Sequence, residues 1–374
     1  MSRPPRVFYE FFAGGGMARL GLGDAWTCGF ANDFDPVKAA TYRANFPDAA
    51  DHFHEGDVWA LTPDDLPGQA DLAWASSPCQ DFSLAGARAG LGGGRSSAFF
   101  GFWRLMEALD DQGRAPRAIV IENVTGLLTS RDGADFVALG RALAARGYSF
   151  GALEIDAACV LPQSRPRVFV VAARDVPPGL MGDSPFHTRA VRAAHAALPD
   201  EVARAWVWWG LAAPPARNTD LAALLEPDDA VDWHTPAQTA RLLALMGPLH
   251  RARLEAATGR AVGAIFRRTR IEDGHRRQRA EVRFDGLAGC LRTPRGGSSR
   301  QAIVVVEGGE ARTRLLSPRE AARLMGLPDG YRLPATTTGA LHVAGDGVAV
   351  PVVRWLASRL LEPLLDGPAI LAAE

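Results

Sequence analysis

Val7-Phe8-Tyr9-Glu10-Phe11-Phe12-Ala13-Gly14-Gly15-Gly16, followed by Ala18-Arg19-Leu20, is the stretch on which the reading of the fold turns. A strand-length apolar run feeds a glycine turn and then a helical pattern, and glycines there let the backbone approach a ligand closely. The same alternation continues outward. Thr27 to Ala31, Asp71 to Ala75, Ala118 to Val124, Phe150 to Ile155 and Val168 to Ala173 are further strand-length runs. Helical patterns lie between them: Val37 to Asn45, with Asp35 as cap and Pro36 at the first position, Phe99 to Leu109, and Ala134 to Arg146. The pattern predicts an α/β protein with a doubly wound, mostly parallel sheet. In that architecture ligands sit beyond the carboxyl ends of the strands.

The chain has 374 residues, enough for about two or three domains and a sizeable core. With 47% hydrophobic and 22% charged residues it reads as a folded globular protein, not a disordered or fibrous one. Cys28, Cys79, Cys159 and Cys290 stand far apart, and no long apolar span is present, so a reducing cytoplasm is expected and no membrane. The formal net charge of -1 hides a segregation of signs. Residues 251–300 hold thirteen arginines against three glutamates and two aspartates, an excess of eight positive charges that suits a polyanion, although a solvated face is the blander reading.

The strand–helix alternation fades after about Arg174. Proline-rich turns, the cluster Trp206, Trp208 and Trp209, and the arginine-dense stretch suggest a second, smaller and irregular domain. The expected division is 1–175, 176–335, and a segment 336–374 that returns to the first domain. The tryptophans read as domain core and not as a stacking platform. Ser317-Pro318-Arg319-Glu320 is a capping box, with Gly326 as the helix stop.

Asp33, after the second run, is placed to accept hydrogen bonds from ribose hydroxyls, and Phe34 to stack on a base. Asp57 ends a third run, although an acidic residue alone is more often a turn former. The fourth run leads into Pro78-Cys79-Gln80 and then a glycine-laden loop through Gly94, which has the composition of a lid. A lone cysteine is more often structural. Yet the next strand ends in Glu122-Asn123-Val124, which delivers a carboxyl group to the same sheet edge, and Gln163-Ser164-Arg165-Pro166-Arg167 adds two guanidinium groups.

These blocks together resemble the bacterial-type DNA (cytosine-5) methyltransferase family. In that family's order they are Phe12 to Gly16, Asp33-Phe34, Gly56-Asp57, Pro78-Cys79-Gln80, Glu122-Asn123-Val124, Gln163-x-Arg165-x-Arg167, Leu316-Ser317-Pro318-Arg319-Glu320, and Gly345-Asp346-Gly347-Val348. The terminal block departs from the common Gly-Asn-Ser-Val at Asp346 and Gly347.

The resemblance implies a Rossmann-like S-adenosylmethionine-dependent methyltransferase fold with a target-recognition domain. It implies Cys79 as nucleophile, with Glu122, Arg167 and secondarily Arg165 as the other catalytic groups. For the cofactor it implies Phe12, Ala13, Gly14, Gly16, Asp33, Phe34, Asp57, Val58, Pro78, Asp346 and Val348. The target base would be flipped out of duplex DNA. Gln80, Ser83, Arg295, Ser298 and Arg300 are the expected DNA contacts. No metal is expected, since the histidines lack ligand spacing. The expected setting is a bacterial cytoplasm, associated with the nucleoid through DNA, with the chain acting as a monomer, alone or beside a restriction endonuclease. A transfer-RNA cytosine methyltransferase and a catalytically silent DNA-binding protein remain as rivals.

Overall fold

The computed structural model describes residues 5–77, 98–272, 274–292 and 300–367. Its chain divides into two compact units, residues Met1–Asp156, Pro166–Pro214 and Val348–Glu374 forming unit 1, and Ala157–Arg165 and Pro215–Gly347 forming unit 2.

Unit 1 is built on a seven-stranded sheet in the order β3-β2-β1-β4-β5-β7-β6. The strands are β1 Arg6–Phe11, β2 Trp26–Asp33, β3 Phe53–Glu55, β4 Leu72–Ala75, β5 Ala118–Val124, β6 Ser149–Asp156 and β7 Pro166–Ala173. The helices are α1 Met17–Leu22, α2 Pro36–Asn45, α3 Ala98–Asp111, α4 Ala134–Ala145, α5 Arg189–Ala196 and the single turn α6 Asp200–Ala203. β4 is buried at every position and β5 at all but its last, the near-continuous apolar run of strands covered on both faces. Asp35 caps α2 as the sequence suggests, accepting the amides of Val37 and Lys38, with Pro36 at the first position.

β1 has β2 on one side and β4 on the other, both parallel, so the strand order reverses there and the chain ends above it open a crevice. β7 runs antiparallel to β5 and β6. Its amino-terminal end therefore lies at the same sheet edge as the carboxyl ends of the parallel strands, with Arg167 opposite Val124.

The units part from the expected boundaries at 175 and 335. Residues up to Pro214 belong to unit 1 because they cover the outer strand β6: Phe150 donates to Ala205 O and accepts from Val207 N. The fit leaves room only for glycine at position 151, where a Cβ would lie 1.9 Å from Val207 O. Trp209 is fully buried and its indole N–H donates to Val171 O at 3.1 Å, while Trp206 and Trp208 pack against the same core. The tryptophans are core, as expected, but core of unit 1.

Unit 2 is more regular than its sequence suggests. It carries a four-stranded antiparallel sheet in the order β11-β10-β8-β9, from β8 Ala261–Glu272, β9 His275–Arg283, β10 Ala302–Glu307 and β11 Glu310–Leu315. The regular sheet escapes a reading of the sequence because arginine takes half of the exposed positions of β8 and β9, and Thr269, His275 and Gln278 three of the other four. Only the root of that hairpin contributes apolar residues, Ile265, Ala280 and Val282, to the cluster with Val304 and Val306. The helices are α7 Pro236–Leu243, α8 Pro248–Glu255, α9 Pro318–Leu324 and α10 Thr337–Asp346. The Ser317–Glu320 capping box opens α9 as expected, and Gly326, at φ 78°, follows its end. α10 packs on α9, which keeps residues 337–347 in unit 2. The chain returns to unit 1 at Val348, through α11 Val350–Leu356, a π-helical stretch Ala357–Leu361 and α12 Glu362–Asp366.

Candidate active site

The glycine turn after β1 is held in a conformation its residues rarely adopt elsewhere. Phe12 has φ 58°, an uncommon value for a bulky residue, and Gly14 and Gly16 have φ 58° and 78°. At Gly16 a Cβ would lie 2.2 Å from the Phe46 ring, whereas at Gly14 it would meet nothing within 4 Å. The turn is thus packed from below and open at Gly14. Asp33, at the end of β2, fastens it: one carboxylate oxygen accepts the Gly14 amide at 2.8 Å and the other the Asp35 amide at 2.9 Å. Burial pushes the Asp33 carboxyl upward. Phe34 beside it is 67% exposed, a large aromatic face left open.

The Gly56 amide donates to Asp33 O at 3.0 Å, which brings the Gly56-Asp57 block alongside. Asp57 is exposed and accepts the Trp59 amide at 3.0 Å. The side chain of Val58 is buried in the core, so only its main chain is available to a ligand. Asp346 is the exposed last residue of α10, and Val348 is buried. An open cradle, a carboxylate and an unstacked aromatic ring fit a nucleoside-bearing cofactor.

The second cluster lies at the ends of β5 and β7. Glu122 Oε1 is 3.2 Å from Arg167 Nε, the two side chains 8% and 15% exposed. Asn123 is buried and donates to Ser77 O at 3.0 Å and Ser77 Oγ at 3.3 Å. It therefore anchors the chain immediately before Pro78-Cys79. In the sequence Asn123 carries no assigned role; its one signal is a second polar residue, after Glu122, near the end of an otherwise apolar strand. Pro78, Cys79, Gln80 and Ser83, with the expected lid to Gly94, lie outside the described residues, as do Arg295 and Ser298.

The two arginines of the Gln163-to-Arg167 block part company. Arg167 sits on β7 in unit 1. Arg165 belongs to unit 2, is 2% exposed, and donates to Leu291 O at 3.1 Å, Gly345 O at 2.8 Å and Gly347 O at 2.7 Å. Gln163, unassigned from sequence, is fully buried; its amide donates to Leu324 O at 2.6 Å and accepts from Leu291 N at 3.1 Å. Arg300 donates to Leu316 O at 2.9 Å.

The profile of C-5 cytosine-specific DNA methylases matches residues 7–362. The chain belongs to that family. Among curated proteins it is similar to the type II methyltransferase M.BsuFI of Bacillus subtilis, 27% identical over 96% of this chain and 73% of that one. It is also similar to M.HhaI of Haemophilus parahaemolyticus, 24% identical over 94% and 93%. The fold matches solved methyltransferases at low identity. These include Dnmt2 of S. pombe, with TM-score 0.60 and 17% identity over 96% of this chain and 99% of that one, and EhMeth of Entamoeba histolytica, with TM-score 0.62 and 14% identity over 96% and 99%. As a C-5 cytosine-specific DNA methylase the chain is a transferase of a family that uses S-adenosylmethionine as methyl donor. Among the described residues no helix is long and apolar enough to cross a membrane.

Proposed function

We propose that this methylase modifies C5 of a cytosine flipped out of a specific duplex DNA site, through a transient bond between Cys79 Sγ and C6. The Glu122–Arg167 pair carries the reading, because it sets a carboxyl and a guanidinium beside the segment that Asn123 anchors just before Cys79. Cytosine C5 is a poor nucleophile until a thiolate adds to C6, and a free thiol of pKa ~8.5 is only a few per cent ionised near neutrality. Glu122 holds a proton toward ring N3 and draws charge off C6 as the thiolate adds; Arg167 holds O2 and orients Glu122. The C5 so activated would take the electrophilic methyl group; a base then removes the C5 proton, and the electron pair of that C–H bond expels Cys79.

The bound donor supplies an electrophilic methyl group and leaves as S-adenosylhomocysteine. For holding it the reading assigns the turn Phe12, Ala13, Gly14 and Gly16, with Asp33 toward ribose, Phe34 against adenine, Asp57 toward the adenine amino group, the Val58 main chain, Pro78, Asp346 and Val348. Arg165 acts as a positioning residue through the carbonyls it holds. Flipping the base costs a few kcal/mol, and the reading assigns Gln80 and Ser83 to the DNA contact. Arg295, Ser298 and Arg300 complete the assigned DNA contacts.

The proposed setting is a bacterial cytoplasm, with the monomer protecting a short site from a restriction endonuclease or acting alone. Bisulfite sequencing of DNA from a host expressing the chain tests it. Wild type marks cytosines in one sequence context, Cys79→Ser marks none while still binding DNA, and EDTA leaves turnover unchanged. Marking by Cys79→Ser removes the nucleophile; incorporation into transfer RNA in preference to duplex DNA removes the substrate. A duplex with 5-fluorocytosine at the target traps the wild type as an adduct that survives denaturant.

A further inference from the structure

Strand β8 continues well past its neighbour on one side. β10 pairs with it only from Ala261 to Ile265, whereas β9 follows it to Glu272. Beyond the sheet, residues 266–272 and 275–281 therefore form a two-stranded ribbon, roughly 23 Å long at ~3.3 Å per residue.

The ribbon has two unlike faces, since directly opposed residues of an antiparallel pair share a side. On one, Arg268 stands opposite Arg279 and Arg270 opposite Arg277. Like charges placed so are destabilising. Glu281, paired with Arg268 and Arg270, and Glu272, paired with Arg279, offset part of the repulsion and leave arginine in excess. The other face begins in the unit 2 core at Ile265, Val282 and Ala280, then runs outward from Arg267, opposite Ala280, through Thr269 opposite Gln278 and Ile271 opposite Arg276, the last four exposed, so that it too carries arginine, interleaved with Thr269, Gln278 and Ile271. Ile271 is 76% exposed, an aliphatic side chain held out in water.

The ribbon as a whole holds six arginines against Glu272 and Glu281, an excess of four positive charges. We propose that this ribbon lies in a groove of duplex DNA, its arginine face tracking phosphates and its Thr269, Gln278 and Ile271 face meeting base edges. A major groove ~12 Å wide admits a two-stranded β-ribbon. Glutamine suits adenine, and an aliphatic group suits the thymine methyl. The excess positive charge complements the backbone. The inference rests on duplex DNA being the substrate, and it moves the sequence-reading surface from residues 295–300 to the hairpin.

Full-length protein, labelled duplexes of random sequence and bisulfite-sequenced plasmid test it. Arg277→Ala reduces the slope of log affinity against log salt by about 1 on every duplex and leaves the methylated sites the same. Arg277→Lys restores the slope. Gln278→Ala leaves the slope alone, lowers methylation of the preferred site roughly tenfold to a hundredfold, and relaxes the preference at one base pair. Gln278→Met, closer in size, replaces it if circular dichroism shows the alanine variant unfolded. Unchanged slopes and site patterns in all variants, with wild type methylating duplex DNA, overturn the ribbon and leave the methylase reading intact. A wild type that methylates no duplex DNA, or prefers structured RNA, overturns both.

Discussion

Glu10 on β1 of unit 1 and Glu320 in α9 of unit 2 are equally buried, each 1% exposed, yet their carboxyls are pushed in opposite directions. Burial raises Glu10 to about 8, outweighing the charge and the amide of Arg19. Its Oε1 accepts the Arg19 amide at 3.4 Å, and its Oε2 is buried without a hydrogen-bond partner among the described residues. Burial works against Glu320 too. There Arg314 donates to both oxygens, at 2.6 and 2.8 Å, and the amides of Glu226 and Ser317 add further bonds, so the carboxyl is held below its usual range. Partners, not depth, set the charge of a buried acid. Glu122 combines an arginine partner with residual exposure.

The comparison can be broken most forcefully at Glu122. Glu122→Gln keeps shape and removes proton transfer, so single-turnover methylation falls by ~10²–10⁴ with donor affinity little changed. A loss confined to donor affinity would make Glu122 as structural as Glu320. Next, Arg314→Ala strands a buried carboxylate and costs about 3–5 kcal/mol of unfolding free energy in denaturant titration. A neutral result would show that the backbone amides alone hold Glu320. Asn123→Ala leaves Ser77 O without its buried donor, at about 1–3 kcal/mol. The Cys79 reading adds that kcat falls as well, so stability loss with unchanged turnover would detach Asn123 from the site.

The smallest effect is a slope. Between the ordinary value of 4.5 and about 8 the folded chain holds a proton on Glu10 that the unfolded chain has released. Glu10 therefore stabilises fully below 4.5, and that contribution declines as pH rises, by at most ~1.4 kcal/mol per pH unit, until about 8. Glu320 has the opposite sign, losing its contribution as pH falls below 4.5. Glu10→Gln should flatten the unfolding free energy across pH 5–8; an unaltered slope would show Glu10 already ionised.

Local chemistry made much of unit 1 legible. β5 spans Ala118–Val124 as read, because an apolar run ended by Glu122-Asn123 leaves no other strand limits, and Asp35-Pro36 announces α2. The hairpin β8–β9 was illegible because residues 268–271 and 275–278 are exposed on both faces, so arginine and other polar side chains follow one another without the period-two alternation on which strand recognition depends. Asn123 escaped notice for a related reason: its partner, Ser77, is 46 residues away in sequence.

The sequence by itself determined the kinds of reactive group, their order along the chain, and the turn at Gly14 to Gly16, since these depend on residue identity and on neighbours a few positions apart. Only tertiary structure decided that β7 runs antiparallel and so brings Arg167 to Glu122, that Arg165, two residues earlier, is spent on the distant backbone carbonyls of Leu291, Gly345 and Gly347, and that Glu10 and Glu320 carry opposite charge preferences. Each of those outcomes is set by groups remote in sequence, because hydrogen bonding and desolvation act across space and not along the chain.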